Sequence, residues 1–221
     1  MDVIAAITTR RSCRAFKPDP VPEEILKKVM EVSLRVPSSS NTQPWSFVVV
    51  GGKQMAALKQ ALAEKTRAGE PLAADFALPA PEGIYRERRR TFMAQMYGSL
   101  GIERDDEAKK LQWWQTMSRF FDAPNGIIVC LEKSLTPWAL VDAGMVMQTI
   151  MLAAHGYGLG TCAMYRLVVY PEVLRQMFSI PESTAIVCGL AIGYPDMAAP
   201  VNRFRTARDP LDTFVSWHGT A

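Results

Sequence analysis

The sequence predicts one domain built from both helices and strands, and three features carry that prediction. Its 221 residues fit a single sizeable unit, and a hydrophobic content of 48% is enough to fill one core. Four apolar runs of strand length stand along the chain. The stretches between them show helical periodicity, with no internal repeat and no low-complexity segment.

Asp2 can cap a first helix whose Val3, Ile4 and Ile7 share one stripe, which leaves residues 10–14 on the turn beyond it. Pro22, Glu23 and Glu24 open a second helix, continued by Ile25, Val29 and Val32 and stopped by Pro37. Trp45-Ser46-Phe47-Val48-Val49-Val50 reads as a buried strand ended by Gly51-Gly52. Residues 53–67 form a third helix, and residues 69–83, with three prolines, a loop or loosely packed excursion. Helices over 85–100 and 103–121 carry Phe92, Met93, Met96, Tyr97, Trp113, Trp114, Met117, Phe120 and Phe121, an aromatic surface that must cover something. A second strand spans 125–131, a third lies near 160–164, Pro171 opens a short helix, and 184–193 is the last core strand. Everything beyond Pro195 reads as an extended arm.

Residues 138–155 are long and apolar, but Asp142 and Gln148 interrupt them and the flanks lack membrane anchors, so they read as a buried core helix. Met1-Asp2-Val3-Ile4 lacks the basic start and apolar core of a signal peptide. Cys13, Cys130, Cys162 and Cys188 form no CxxC pair. A reducing cytoplasm and no membrane are the expected setting. A net charge of +3, from 25 basic and 22 acidic residues, is too weak a bias to expect nucleic acid.

His155 and His218 are the only histidines, which disfavours metal sites and most hydrolytic mechanisms. His155 reads as a structural residue near a helix C-terminus. Gly156-Tyr157-Gly158-Leu159-Gly160 follows a helix and places its last glycine one position early for a dinucleotide loop, so it is a turn. No P-loop is present.

What the chain does offer is cationic. Arg10-Arg11-Ser12-Cys13-Arg14 and Val201-Asn202-Arg203-Phe204-Arg205 both set guanidinium groups beside small polar residues, a pattern suited to gripping phosphate. Pro37-Ser38-Ser39-Ser40-Asn41-Thr42-Gln43-Pro44-Trp45 adds short hydrogen-bonding side chains that could ring a flat polar heterocycle. Each has a plainer reading: a solvated basic turn, arm arginines paired with Asp196 or Asp209, a helix-exit turn. The run Arg86, Arg88, Arg89 and Arg90 points around a helix axis and reads as a solvated face, with attraction of nicotinamide-donor phosphates as a minor alternative.

In this order the three segments resemble the nitroreductase family of FMN flavoproteins, whose opening reads like Thr9-Arg10-Arg11-Ser12-Cys13-Arg14-Ala15-Phe16. The resemblance spans residues 7–210, dense at both ends and loose over 69–121. It implies an α+β fold with a central mixed β-sheet flanked by helices, one domain over 1–221, a helical lid at 69–121, and an arm at 195–221 exchanged in a homodimer. It also implies FMN, tightly bound, with Arg10, Arg203 and Arg205 on the phosphate and Arg11 and Ser12 beside them. Arg14 would stand near flavin O2 and N1. Pro37, Ser38, Ser39, Asn41 and Gln43 would reach the FMN from the partner subunit, and Gln148 would contact the ring or ribityl. Cys162, Ala163 and Met164 would line the face around N5, and Trp113, Trp114, Phe120 and Phe121 the substrate pocket.

The activity so implied is ping-pong, two-electron reduction of nitroaromatic compounds or quinones by NADH or NADPH, with no catalytic side chain and no metal. Reduction of an activated C=C bond, reductive dehalogenation and non-catalytic flavin binding remain open alternatives.

Overall fold

Asp2 opens α1 (Val3–Thr9) by accepting from the Ile4 and Ala5 amides at 3.3 and 3.1 Å. The computed structural model describes residues 2–77 and 79–219; Met1, Leu78, Thr220 and Ala221, the last two within the expected arm, lie outside the described residues. In α2 (Glu23–Ser33) the two acids of the first turn complement the helix dipole, but the buried face is Leu26, Val29 and Ser33, with Val32 49% exposed. The predicted stripe is therefore rotated. Ser33 is tolerated inside because its hydroxyl donates back to the Val29 carbonyl at 2.6 Å, a satisfaction that hydrophobic periodicity cannot register.

The sheet contains β1 (Trp45–Val50), β2 (Asn125–Glu132), β3 (Gly160–Met164) and β4 (Thr184–Gly193) in the order β1-β2-β4-β3. Every ladder is antiparallel, not mixed as expected, because the chain reverses direction between each neighbouring pair. Among the described residues the one parallel pairing is an isolated bridge, Ser12 to Thr161, where the basic turn lies along the outer edge of β3. Cys13 N–H donates to the Thr161 carbonyl at 2.9 Å and fixes that placement.

Both sheet faces are buried. Ile127 and Val129 of β2 join Leu26 and Val29 of α2 and Val146 and Ile150 of α6 (Ala139–Gly156) in one cluster. Ile128 and Cys130 face the other way, toward Met55, Leu58 and Leu62 of α3 (Gly52–Ala68) and Leu174 of α7 (Pro171–Phe178). Each such aliphatic side chain contributes about 1.5–3 kcal/mol of burial. Helices α4 (Gly83–Ser99) and α5 (Glu107–Ser118) cover the second face with their aromatic residues.

Two expectations are refined here. Helix α6 is long and apolar enough to cross a membrane, at a mean hydropathy of 1.2, yet only 33% of it is buried within the chain. It is a core helix on one face only: Ala143, Val146, Ile150 and Ala154 face the sheet and α2, while Trp138, just before it, and Val141 stand 69% and 54% exposed. In residues 69–83, read as a loop or a loosely packed excursion, the stretch at Ala73 and Asp75 is strapped down. Asp75 accepts from Arg175 Nη2 at 2.5 Å and from the Ile186 amide at 2.7 Å, and Ala73 N–H donates to the Val169 carbonyl at 2.9 Å. The strap holds one wall of the site.

Candidate functional site

Two cavities share one arginine. The first, about 560 Å³, lies between the turn after α1 and the chain beyond α8 (Pro200–Arg203), and is lined by Arg10, Arg11, Ser12, Arg14, Arg205 and Arg208 with the threonines Thr8, Thr9 and Thr206. Five guanidiniums face it and, among the described residues, no carboxylate does. Among the described residues none of the five forms an ion pair. Their bonds run instead to neutral atoms: Arg11 to the Asn202 carbonyl at 3.3 Å, Arg14 to the Ser12 carbonyl at 3.4 Å, Arg205 to the Asn202 and Phe204 carbonyls at 3.0 and 3.1 Å. Arg10 Nε is buried with no acceptor among the described residues. So much unneutralised charge at one place fits an anion with several acceptor oxygens.

Asn202 holds the two halves of this cavity together. It is 1% exposed; its Oδ1 accepts from the Arg14 amide at 2.7 Å, and its Nδ2 donates to the Ala15 and Asp196 carbonyls at 2.7 and 2.8 Å. The arm is thereby fastened to the basic turn. Asn202 stands inside the quoted arm segment, but nothing in a lone asparagine announces such a role.

The second cavity, about 460 Å³, is walled by Phe92, Met93, Met96, Trp113, Trp114, Met117 and Phe121, with Cys162, Ala163 and Met164 of β3 on one side. Arg14 lines it too, its guanidinium 5.5 Å from the Phe92 ring centre, and Phe92 sits 5.9 Å from Phe204 of the first cavity. A polar, cationic chamber therefore adjoins a flat-walled apolar one at Arg14. Trp113 and Phe121 stack at 5.2 Å and 38°.

Phe120 departs from expectation: it is fully buried, and a Cβ on Gly126 would come within 2.7 Å of its ring. A turn with left-handed φ of 61°, 52° and 58° at Phe120, Phe121 and Asp122 sends the first ring into the core and the second to the cavity. The Arg119–Asp122 pair, at 3.0 and 3.1 Å, closes that strained turn.

Arg203 also departs, turning away to donate to the Ala198 carbonyl at 3.0 Å while Arg208, not anticipated, lines the cavity. The short helix α8 points residue 203 outward and the extended chain after it brings 205 and 208 around. The basic run on α4 is divided: Arg86 and Arg90 are solvated, Arg89 lines the aromatic cavity, and Arg88 pairs with Asp209 and lies 5.3 Å from the Phe214 ring. The described arm thus rests on α4 of its own chain.

Pro37, Ser38, Ser39, Asn41 and Gln43 line neither cavity of this chain. Their turn is tied to the start of α6, where buried Asp142 accepts from the Ser39 amide at 3.3 Å. Gln148 is half-buried on α6 and lines neither cavity.

Burial pushes the Cys162 thiol up to about 11 against the lowering influence of Arg14, so it stays protonated near neutrality and offers no thiolate nucleophile. His155, in the last turn of α6, meets Thr9 Oγ1 at 2.8 Å. Burial, then Arg11 and Arg10, hold its imidazole below the ordinary value of 6.5. A depressed folded-state value means that this contribution to stability is complete above pH 6.5 and is lost as pH falls through the lower, folded value. Thermal melts at pH 7.5 and 5 should therefore show a smaller acid loss in His155→Gln than in the wild type; equal losses would remove His155 from the balance.

The pairing of a phosphate-grade cationic chamber with an aromatic slot defines a flavoprotein-like site, and the family comparison agrees: the chain belongs to the nitroreductase family, whose model matches residues 7–194. Its relatives include 4-nitrobenzoate reductase of Pseudomonas putida, 31% identical over 99% of this chain and 96% of that one. Nitroreductase NfnB of Mycolicibacterium smegmatis is 36% identical over 93% of this chain and 88% of that one. Among solved structures, the FMN-dependent nitroreductase NfnB from Mycobacterium smegmatis in complex with NADPH superposes with a TM-score of 0.93 at 32% identity, covering 97% of each chain.

Proposed function

We propose that this chain is an FMN-dependent NAD(P)H oxidoreductase that reduces nitroaromatic compounds or quinones by ping-pong, two-electron transfer. One observation carries the reading: five guanidiniums, without counter-ions among the described residues, line a chamber that adjoins an aromatic-walled cavity at Arg14. The orphaned Arg10 Nε is what a resident anion would compensate. Arg10, Arg11, Arg205 and Arg208 hold the FMN phosphate, aided by the Ser12 and threonine hydroxyls. Arg14, at the seam, sets a cation beside the ring system. When bound, FMN supplies the redox chemistry, accepting two electrons from the nicotinamide donor and passing them to the acceptor.

The protein's own part is positional and electrostatic. Trp113, Trp114 and Phe121 offer flat walls for a stacked aromatic ring and exclude water from it, which fixes distance and strengthens local charge interactions. Cys162, held protonated, does not compete as a nucleophile.

The working form is a homodimer in a reducing cytoplasm, supported by four unpaired cysteines and by apolar surface that a single chain leaves open. Ile4 on α1, Val141 on α6 and Trp217 on the arm are each more than half exposed, at 64%, 54% and 64%. Residues 37–43 and Gln148, which line neither cavity of their own chain, would complete the partner's site, and 69–121 would act as its lid within a single domain.

The test is a visible spectrum of the purified protein before and after anaerobic NADPH or NADH, then a nitroaromatic acceptor. Flavin colour that bleaches and returns is the expected result. A colourless protein that takes up no FMN would sink the reading. Sedimentation should give twice the 24.6 kDa chain mass, and a monomer that keeps its FMN would remove the dimer from it.

A further inference from the structure

We propose that Arg166 makes the aromatic cavity selective for electron acceptors bearing a negative charge on the ring, an inference that rests on the reductase reading above. Arg166 stands just beyond β3, half-buried on the cavity wall. Only hydroxyls anchor it. Its Nε donates to Ser118 Oγ and its Nη2 to Thr66 Oγ1, both at a long 3.4 Å, and those two buried oxygens bond each other at 2.9 Å. Among the described residues its Nη1 has no partner and no acid pairs with it.

A guanidinium half-buried on a cavity wall without a counter-charge is open to an anion, and among the described residues the cavity it lines contains no aspartate or glutamate. The hydroxyl pair orients the fork without neutralising it. A carboxylate on the ligand would do so, and it matches the planar fork bidentately. The other cavity arginines serve less well: Arg14 is committed to the seam and the Phe92 face, and Arg89 is exposed at the rim, where solvent and salt screen it. With Trp113 and Phe121, packed on each other at 5.2 Å, giving the cavity an aromatic wall, the favoured ligand is an aromatic ring carrying a carboxylate. A phosphate of the nicotinamide donor presents related chemistry, so the test has an arm for each.

The FMN-loaded protein is titrated with benzoate and with its neutral analogue benzamide, neither of which is reduced, following tryptophan fluorescence. The wild type should bind benzoate about tenfold or more tighter than benzamide, the scale of one charge-assisted hydrogen bond. Arg166→Gln should erase most of that preference while leaving benzamide affinity within about twofold, and Arg166→Lys should restore part of it. In turnover, the kcat/KM ratio of 4-nitrobenzoate to 4-nitrobenzamide should fall in parallel, with the KM for NADPH unchanged.

Equal loss of both ligands would assign Arg166 a packing role and overturn the proposal, as would an unchanged preference. A raised KM for NADPH with benzoate binding intact would overturn it in favour of the donor's phosphate. A protein that shows the binding preference but reduces nothing would support the anion site and sink only the reductase reading.

Discussion

Asn202→Ala should lower the melting temperature of the FMN-loaded protein by roughly 10 °C and weaken its hold on FMN. The side chain is 1% exposed and spends its whole amide on main-chain groups: the Arg14 N–H at 2.7 Å and the Ala15 and Asp196 carbonyls at 2.7 and 2.8 Å. Alanine leaves the part-buried Arg14 amide and Asp196 carbonyl unpaired, at about 1–3 kcal/mol each before relaxation, while the Ala15 carbonyl keeps the Asp196 amide at 3.1 Å. With partial relaxation a loss of roughly 2–4 kcal/mol follows, and for a chain of this size each kcal/mol moves the midpoint by about 2–4 °C. The functional effect comes through geometry, because Asn202 also offers its carbonyl to Arg11 and Arg205. Freed from it, the arm and the basic turn would lose their common anchor and the five cations their convergence.

The control is its neighbour. Arg203 is exposed, with one side-chain bond to the Ala198 carbonyl at 3.0 Å, so Arg203→Ala should shift the midpoint by no more than about 2 °C and leave FMN affinity nearly unchanged. A larger loss of FMN in Arg203→Ala than in Asn202→Ala would return the phosphate role to residue 203 and remove it from the Asn202 anchor.

That contrast shows what a sequence can and cannot disclose here. Residues 10–14 were legible as a cationic turn because capping by Asp2 and the end of α1 are local events, and the same locality exposed all four strands. Which arm arginines converge on that turn was not legible. It depends on the direction in which the four-residue α8 releases the chain, and this swaps Arg203 for Arg208. The left-handed turn at Phe120 and Phe121 carries no glycine or asparagine to announce it, so two adjacent aromatics with opposite fates looked equivalent. The mixed sheet implied by the resemblance proved antiparallel for a related reason: strand direction belongs to the long connections, not to the strands. Arg166 was invisible because its partners lie 48 and 100 residues away and are neutral hydroxyls, which no charge pattern marks. Helix α6 was legible as apolar, but the amount of it covered by its own chain was not, since composition does not distinguish a core face from a face awaiting another surface.

Arg10→Met should act in opposite directions on the apoprotein and on the complex. Without an anion, Arg10 brings a positive charge close to Arg11, Arg14, Arg205 and Arg208 and leaves its Nε buried with no acceptor. Methionine keeps a flexible, unbranched side chain of similar reach and removes both the repulsion and the orphaned donor. The apoprotein should therefore melt no lower than wild type, and higher by a few degrees if about 1 kcal/mol is recovered. FMN binding should move the other way, its Kd rising by about 10–100-fold, the equivalent of one charge-assisted contact at roughly 1.5–3 kcal/mol. Inorganic phosphate separates the two effects further. A ligand that binds only the folded state raises its midpoint by mass action, so millimolar phosphate should stabilise wild-type apoprotein more than the variant. Added sodium chloride should narrow that difference as it screens the remaining cations. A variant that is destabilised as apoprotein yet binds FMN as tightly as wild type would mark Arg10 as a structural residue and transfer the phosphate to the other four arginines. The opposed signs, higher apoprotein stability with weaker binding, follow only if the cluster is built around a charge the chain itself does not supply.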